Sequence, residues 1–224
     1  WLQRGIHVVT PNKKANSGSW SSYQLLHARG DSRRGRYFYE ATVGAGLPII
    51  RTLQDLLHTG DRVRRVEGIL SGTLSFLFDA VGRGVAFSEA VQQAVQRGYT
   101  EPDPKDDLSG VDVARKLAIL ARECGKPLEV DEIQVESLVP KELQECQGAT
   151  FLERLVEFDV AMQRRLEAAK NQGSVLRYVG VVDEAGRAEV VVRGYPADHA
   201  FATARGTDNV VAFTTDRYLA QPLI

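Results

Sequence analysis

The chain has 224 residues, 43% hydrophobic and 25% charged, with 28 Lys and Arg against 29 Asp and Glu and a net charge of −1. That balance argues against nucleic acid or an anionic membrane as the main partner, and no apolar run approaches the ~20 residues of a membrane-spanning helix. The two cysteines, Cys124 and Cys146, have neither metal-binding nor redox spacing, so a reducing, cytoplasmic compartment is expected.

In chain order, Trp1 to Gly5 reads as the last turn of a helix with Gly5 at its end, and Ile6 to Thr10 as a short buried strand. A domain rarely begins on the end of a helix, so sequence upstream is expected. Arg36 to Val43 is the next predicted strand, followed by a Gly44-Ala45-Gly46 turn. Pro48 suits the first helical position, ahead of a stripe of Ile49, Ile50, Leu53, Leu56 and Leu57 that stops at Gly60. Val63 to Leu70 predicts a strand and Gly72 to Val81 a helix. Ser88 is a candidate cap for a helix carrying Val91, Ala94 and Val95 that ends at Gly98.

Glu101 to Asp107 reads as an extended acidic loop, because Pro102 and Pro104 disfavour helix in the residues before them. Ser109 then caps a strong helix with the stripe Ala114, Leu117, Ala118, Ala121 and Cys124, ended by Gly125. Thr150 and Glu153 have capping-box spacing for a long helix lined by Phe151, Leu155, Phe158, Met162 and Leu166. Val175 to Val182 and Arg187 to Val192 flank Asp183-Glu184-Ala185-Gly186, a hairpin signal. Asn209 to Thr214 is a further strand, and Pro222-Leu223-Ile224 lies in what reads as another. The alternation predicts an α/β fold of α+β character, a mixed β-sheet with helices packed on it.

The densest chemistry lies between Gly98 and Asp112, which includes Glu101, Asp103, Asp106 and Asp107. Such a cluster suits an ammonium group or a metal ion. It equally suits a solvated loop ahead of a helix, where negative charge is favourable. Asp112 and Lys116 stand four residues apart and share a helix face. On a surface that is a salt bridge; in a cleft it holds a lysine for proton transfer. There Asp112 orients the lysine rather than lowering its pKa, since a neighbouring carboxylate favours the charged form. Thr10 to Lys14 follows a strand at the end where ligands of α/β sheets bind, or is an ordinary strand exit. Glu40 to Pro48 offers one carboxylate and turn carbonyls to a hard cation, or is a glycine turn. Ser71-Gly72-Thr73 is an anion site or a helix cap. The sequence has no glycine-rich phosphate loop and no Gly-x-Ser-x-Gly motif, and its four histidines lack ligand spacing.

Five stretches, Val8 to Ala15, Tyr39 to Ile50, Gly68 to Phe78, Gly98 to Arg122 and, more weakly, Gly206 to Tyr218, together resemble homoserine dehydrogenase. The opening residues look most like the dehydrogenase half of a bifunctional aspartokinase–homoserine dehydrogenase. The resemblance implies reversible reduction of aspartate 4-semialdehyde to homoserine with NADPH or NADH, a step toward threonine and methionine. It matches Lys116 to the acid/base lysine, Asp112 to a catalytic and substrate-binding carboxylate, and Lys13 to a second active-site lysine near the nicotinamide. Glu101 matches the carboxylate that grips the substrate amine, with Gly98 and Asp107 completing the substrate site and Thr10 contacting the cofactor. Glu40, with the carbonyls of Val43, Ala45 and Leu47, matches a monovalent cation site, usually sodium.

The resemblance further implies a homodimer and a division of the chain. Residues 1–25 correspond to the C-terminal remnant of a Rossmann-type dinucleotide-binding domain. Residues 26–224 form the substrate-binding, catalytic and dimerisation domain, with 206–224 a candidate returning segment of the dinucleotide domain. The family's glycine-rich phosphate-binding unit is absent from the sequence, so truncation at both ends is expected. The alternative is therefore a non-catalytic dimerisation and substrate-domain fragment of that enzyme.

Overall fold

The computed structural model describes residues 1–28 and 33–224. A 3-10 turn at Leu2–Arg4 closes on Gly5, as read from the sequence. It leads into β1 (Val8–Val9), which among the described residues pairs in parallel with β2 (Tyr37–Phe38) alone. Between them lies α1 (Trp20–His27), capped by Ser19. The expected buried strand at residues 6–10 is thus short and open, with Val9 81% exposed. An apolar pair is buried only where a second layer covers it, and among the described residues none covers Val9. The expected strand at 36–43 is likewise cut to β2, and Glu40–Thr42 turn as a 3-10 helix.

Helix α2 (Ile49–His58) buries Ile49, Ile50, Leu53 and Leu56, with Pro48 one residue earlier than expected, in the capping position. Strand β3 (Val63–Ile69) and α3 (Gly72–Gly82) follow as predicted. In α4 (Phe87–Gln96) Ser88 is not the cap; Ala86 holds that place. The Ser88 amide and hydroxyl instead donate to the Asp159 carboxylate, at 2.8 and 2.6 Å. A free donor at a helix start needs an acceptor, and a distant helix provides it.

The acidic stretch is not wholly a loop. Pro104–Leu108 form α5, with Asp103 as N-cap accepting the Lys105 amide at 2.9 Å. Proline breaks helices internally but fits the first position, where no amide is needed. Helix α6 (Val111–Glu123) is capped by Gly110, not Ser109. The expected single helix after Thr150 is broken into α7 (Gly148–Arg154), a 3-10 turn and α8 (Asp159–Asn171), and the Thr150–Glu153 capping box does not form. The Phe151, Leu155 and Met162 side chains are nonetheless buried.

Strands β4 (Gln134–Val135), β5 (Ser174–Asp183), β6 (Ala188–Pro196) and β7 (Val210–Thr215) complete a mixed sheet with β3, in the order β4-β6-β5-β3-β7. The predicted hairpin joins β5 and β6, and within this sheet, among the described residues, β4 on β6 is the one parallel pair. Leu223 makes an isolated antiparallel bridge to Phe213 rather than a full strand. One face of the sheet, with Leu70, Tyr178 and Val182, packs on α3, α6 and α8 around Leu74, Phe78, Val113 and Leu117. The other is covered at one end by α9 (Ala200–Thr203), where Phe201 and Ala202 meet Ile69, Val179 and Tyr195. Buried Arg177 holds that end down, donating to the carbonyls of Leu176, Phe201, Ala202 and Ala204. The rest of this face carries Glu67, which accepts from Arg65, Arg193 and Tyr195.

Candidate active site

The site forms where the end of β3, the start of α6 and the loop after β1 meet. Because α6 presents one face every three to four residues, Asp112 and Lys116 stand together, with Lys116 Nζ 2.8 Å from Asp112 Oδ2. The same ammonium donates to the Leu70 carbonyl at 2.7 Å, where β3 has just ended. The other carboxylate oxygen, Oδ1, lies 3.0 Å from Lys13 Nζ. One carboxylate therefore joins two lysines that are about a hundred residues apart in sequence. Burial pushes the Asp112 carboxyl up, but the two ammonium groups outweigh it and hold the group below the usual carboxylate range. Lys116 is the more enclosed lysine, with 16% of its side chain exposed against 29% for Lys13.

Lys13 is set by a folded loop rather than by β1 itself. The Thr10 amide donates to Phe38, the Thr10 hydroxyl accepts the Asn12 amide at 3.0 Å, and Asn12 accepts the Lys14 amide at 2.8 Å. The Ser17 amide then closes the turn on the Lys13 carbonyl.

The acidic segment divides into two pairs. Asp103 and Asp106 serve α5, the first as its cap and the second within its first turn. Glu101 and Asp107 converge instead: the Glu101 amide donates to Asp107 Oδ2 at 2.8 Å. Burial, then the charges of Glu101 and Asp112, push the Asp107 carboxyl above its ordinary value. A carboxylate group with that bias gains from a cation placed beside it. Gly98 ends α4 with φ of 68°, which turns the chain into this segment. Thr73, which sequence reasoning left as part of an anion site or cap, donates from its hydroxyl to the Tyr99 carbonyl at 2.6 Å. Ser71 is the cap proper, accepting the Leu74 amide.

The Glu40 loop stands apart from this cluster. Both Glu40 carboxylate oxygens accept amides at the start of α2, from Ile50 at 2.9 Å and Arg51 at 3.0 Å. The turn runs through Ala45, a non-glycine residue at φ 53°, and closes with the Leu47 amide on the Gly44 carbonyl. Val43 is fully buried, and the Thr42 hydroxyl oxygen is buried with no partner among the described residues. The loop is thus rich in oxygen donors of the hard type that alkali cations prefer. Among the described residues, no three His, Cys, Asp or Glu side chains come together as a metal site, and no helix is long and apolar enough to cross a membrane.

Chemically, the cluster offers an ammonium held beside a stable carboxylate, a second ammonium on that carboxylate's other oxygen, and an acidic pair next to it. Such a set suits a small molecule bearing an ammonium group and a carbonyl or hydroxyl that exchanges a proton.

The family model for homoserine dehydrogenase matches residues 48–223. The bifunctional aspartokinase/homoserine dehydrogenase 1, chloroplastic, of Arabidopsis thaliana is 55% identical over 226 residues, covering all of this chain and 25% of its own length. The chain thus spans about a quarter of that plant relative. Among solved structures, a putative homoserine dehydrogenase from Archaeoglobus fulgidus superposes with a TM-score of 0.77 at 25% identity, over 99% of this chain and 61% of that one. A hyperthermophilic archaeal homoserine dehydrogenase in complex with NADPH superposes with a TM-score of 0.68 at 23% identity, over 99% of this chain and 58% of that one, a likeness of fold. With its family model matched over most of its length, the chain belongs to the homoserine dehydrogenase family.

Proposed function

We propose that this chain provides the catalytic and substrate-binding part of a homoserine dehydrogenase, which interconverts aspartate 4-semialdehyde and homoserine. The observation that carries this reading is the Asp112 carboxylate bridging Lys116 and Lys13. Bound NADPH or NADH supplies the hydride. In the reducing direction Lys116 gives a proton to the carbonyl oxygen, which otherwise gains full negative charge; in the oxidising direction it takes that proton back. Asp112 orients Lys116 and contacts substrate. Glu101 and Asp107, with the backbone at Gly98, hold the substrate ammonium.

Thr10 and Lys13 would meet the nicotinamide end of the cofactor, a role that their position at the carboxyl end of β1 supports. The archaeal relative solved with NADPH supports that class of cofactor. Glu40 and the carbonyls of Val43, Ala45 and Leu47 would hold sodium, a role that the oxygen-rich turn supports. The polar outer face of the sheet is the surface for a second copy. Unpaired Cys124 and Cys146 fit a reducing compartment such as the cytoplasm.

A second reading is a dimerisation and substrate-domain fragment without turnover, in keeping with a chain that spans about a quarter of the plant relative's length. Homoserine oxidation with NADP and with NAD, measured beside Lys116→Ala, separates the two. Turnover that falls about 100-fold or more in the variant supports the first reading. A folded wild-type chain with no turnover supports the second. Turnover that survives the substitution removes Lys116 from the proposed role.

A further inference from the structure

Helix α6 carries the site at one end and a separate polar assembly at the other. From Asp112 to Glu123 is about 16 Å along the axis, at 1.5 Å per residue. At the far end, buried Arg122 donates to the Asn16 carbonyl at 2.7 Å and to Glu129 at 2.8 Å, and the other Glu129 oxygen accepts the Trp20 amide at 2.7 Å. The neighbouring Glu123 takes three donors. Its Oε1 accepts the hydroxyls of Tyr23 and Tyr39, each at 2.6 Å, and its Oε2 accepts the Gln54 amide at 2.8 Å.

A carboxylate at the carboxyl end of a helix is disfavoured by the helix dipole. Here three donors from α1, the start of the Glu40 loop and α2 offset that cost. Burial and the charge of Glu123 push both tyrosine hydroxyls well above their ordinary pKa, so they remain donors. The segment held in this way, Asn16 to Tyr23, begins three residues after Lys13. Among the described residues Lys13 has one ion pair, with Asp112. Its placement rests on the hydrogen bonds of its own loop, from Thr10 to Ser17, and on how its segment is fastened to α6 further along.

We propose that Glu123 is a positioning residue: by accepting the Tyr23 and Tyr39 hydroxyls together, it fastens the segment that carries Lys13 to the helix that carries Asp112 and Lys116. The effect on turnover rests on the reading of those three residues as the reaction site; the fastening itself does not. A shift of about 1 Å at a reacting group can cost 100-fold in rate. Glu123→Ala is therefore expected to lower kcat by about 10- to 100-fold, with KM for homoserine kept within about threefold.

The test uses the full-length gene product, with Glu123→Ala, Glu123→Gln and the pair Tyr23→Phe/Tyr39→Phe. Each is measured for homoserine oxidation and for amide hydrogen exchange. Gln keeps an oxygen acceptor, so Glu123→Gln is expected within about threefold of wild type, while the tyrosine pair follows Glu123→Ala. Exchange is expected to rise in residues 8–24 of Glu123→Ala and to stay unchanged in β3 and α3. Wild-type kcat in Glu123→Ala, or an unchanged exchange pattern in 8–24, overturns the proposal. So does exchange raised across the whole chain, which marks a general loss of stability. If Glu123→Ala does not fold, the tyrosine pair decides by the same readings. A wild-type protein that does not oxidise homoserine refutes the site reading alone, and the exchange arm still decides the fastening.

Discussion

Gly110 gives the most direct structural handle on the helix that bears the site. It caps α6 at φ 74°, two residues before Asp112. A Cβ there would run into the Tyr178 hydroxyl and a Val135 methyl. Gly110→Ala therefore meets two penalties: about 1–2 kcal/mol for a left-handed conformation, and about 1–3 kcal/mol for forcing atoms into a packed site. Together they come to roughly 2–5 kcal/mol, and for a chain of this size each kcal/mol lowers Tm by about 2–4 °C. Gly98 is the control, since it has φ 68° but nothing within 4 Å of a Cβ. Gly98→Ala should cost only the conformational part, about 1–2 kcal/mol. Removing the obstructing hydroxyl should give back part of the loss, so Gly110→Ala and Tyr178→Phe should be non-additive by about 0.5–3 kcal/mol. Thermal unfolding of the wild type, the three single variants and the Gly110→Ala/Tyr178→Phe double variant by circular dichroism measures this. Equal losses for Gly110→Ala and Gly98→Ala, or strict additivity with Tyr178→Phe, would refute the packing argument.

Further predictions concern the core, the acidic pair and the cation loop. Leu117 is fully buried between α6 and the sheet, so Leu117→Ala should destabilise by about 2–5 kcal/mol in a denaturant titration. Asp107 has a raised carboxyl pKa in the fold. Its ionisation therefore weakens the fold, and that loss grows as pH rises from the unfolded value near 4 through the folded one. Asp107→Asn should consequently leave stability at pH 7 equal or higher, by no more than about 1 kcal/mol given its partial exposure, while raising KM for homoserine. Sodium at about a hundred times its Kd should add about 2.7 kcal/mol of stability over choline at equal ionic strength. Glu40→Gln should remove that sodium-specific increment in thermal unfolding.

The parts of the fold set by local pattern were legible in the sequence. The Asp183–Gly186 turn sat between two runs of β-branched residues, and β5 and β6 pair across it. The spacing of Ala114, Leu117, Ala118 and Ala121 marked α6. Some misreadings involve partners from elsewhere in the chain, and others turn on position or on a missing layer. Ser88 needed Asp159, 71 residues away, to satisfy its amide. The extended loop expected over Glu101 to Asp107 is partly helix, because a proline disfavours helix in the residue before it yet opens α5 at its own position. Val8 and Val9 looked buried because hydrophobicity says nothing about whether a layer will cover them.

The site divides in the same way. The four-residue spacing of Asp112 and Lys116 placed them on one face, and the structure joins them. No spacing could bring Lys13 to Asp112 across the chain; the family resemblance put both in one site, and their ion pair is read from the structure alone. The clustering of four carboxylates was visible, but not that Asp103 and Asp106 serve α5 while Asp107 accepts the Glu101 amide. Glu123 gave no signal, because its meaning lies in two tyrosines and a glutamine drawn from three other segments.

The central claim is that the Asp112-bridged lysines and the Glu101–Asp107 pair form one homoserine site. A crystal structure with homoserine bound tests it most directly. The account predicts the substrate hydroxyl within hydrogen-bond reach of Lys116 Nζ and the ammonium beside Glu101 and Asp107. Homoserine bound away from Lys116, or with its ammonium directed away from both carboxylates, would contradict it.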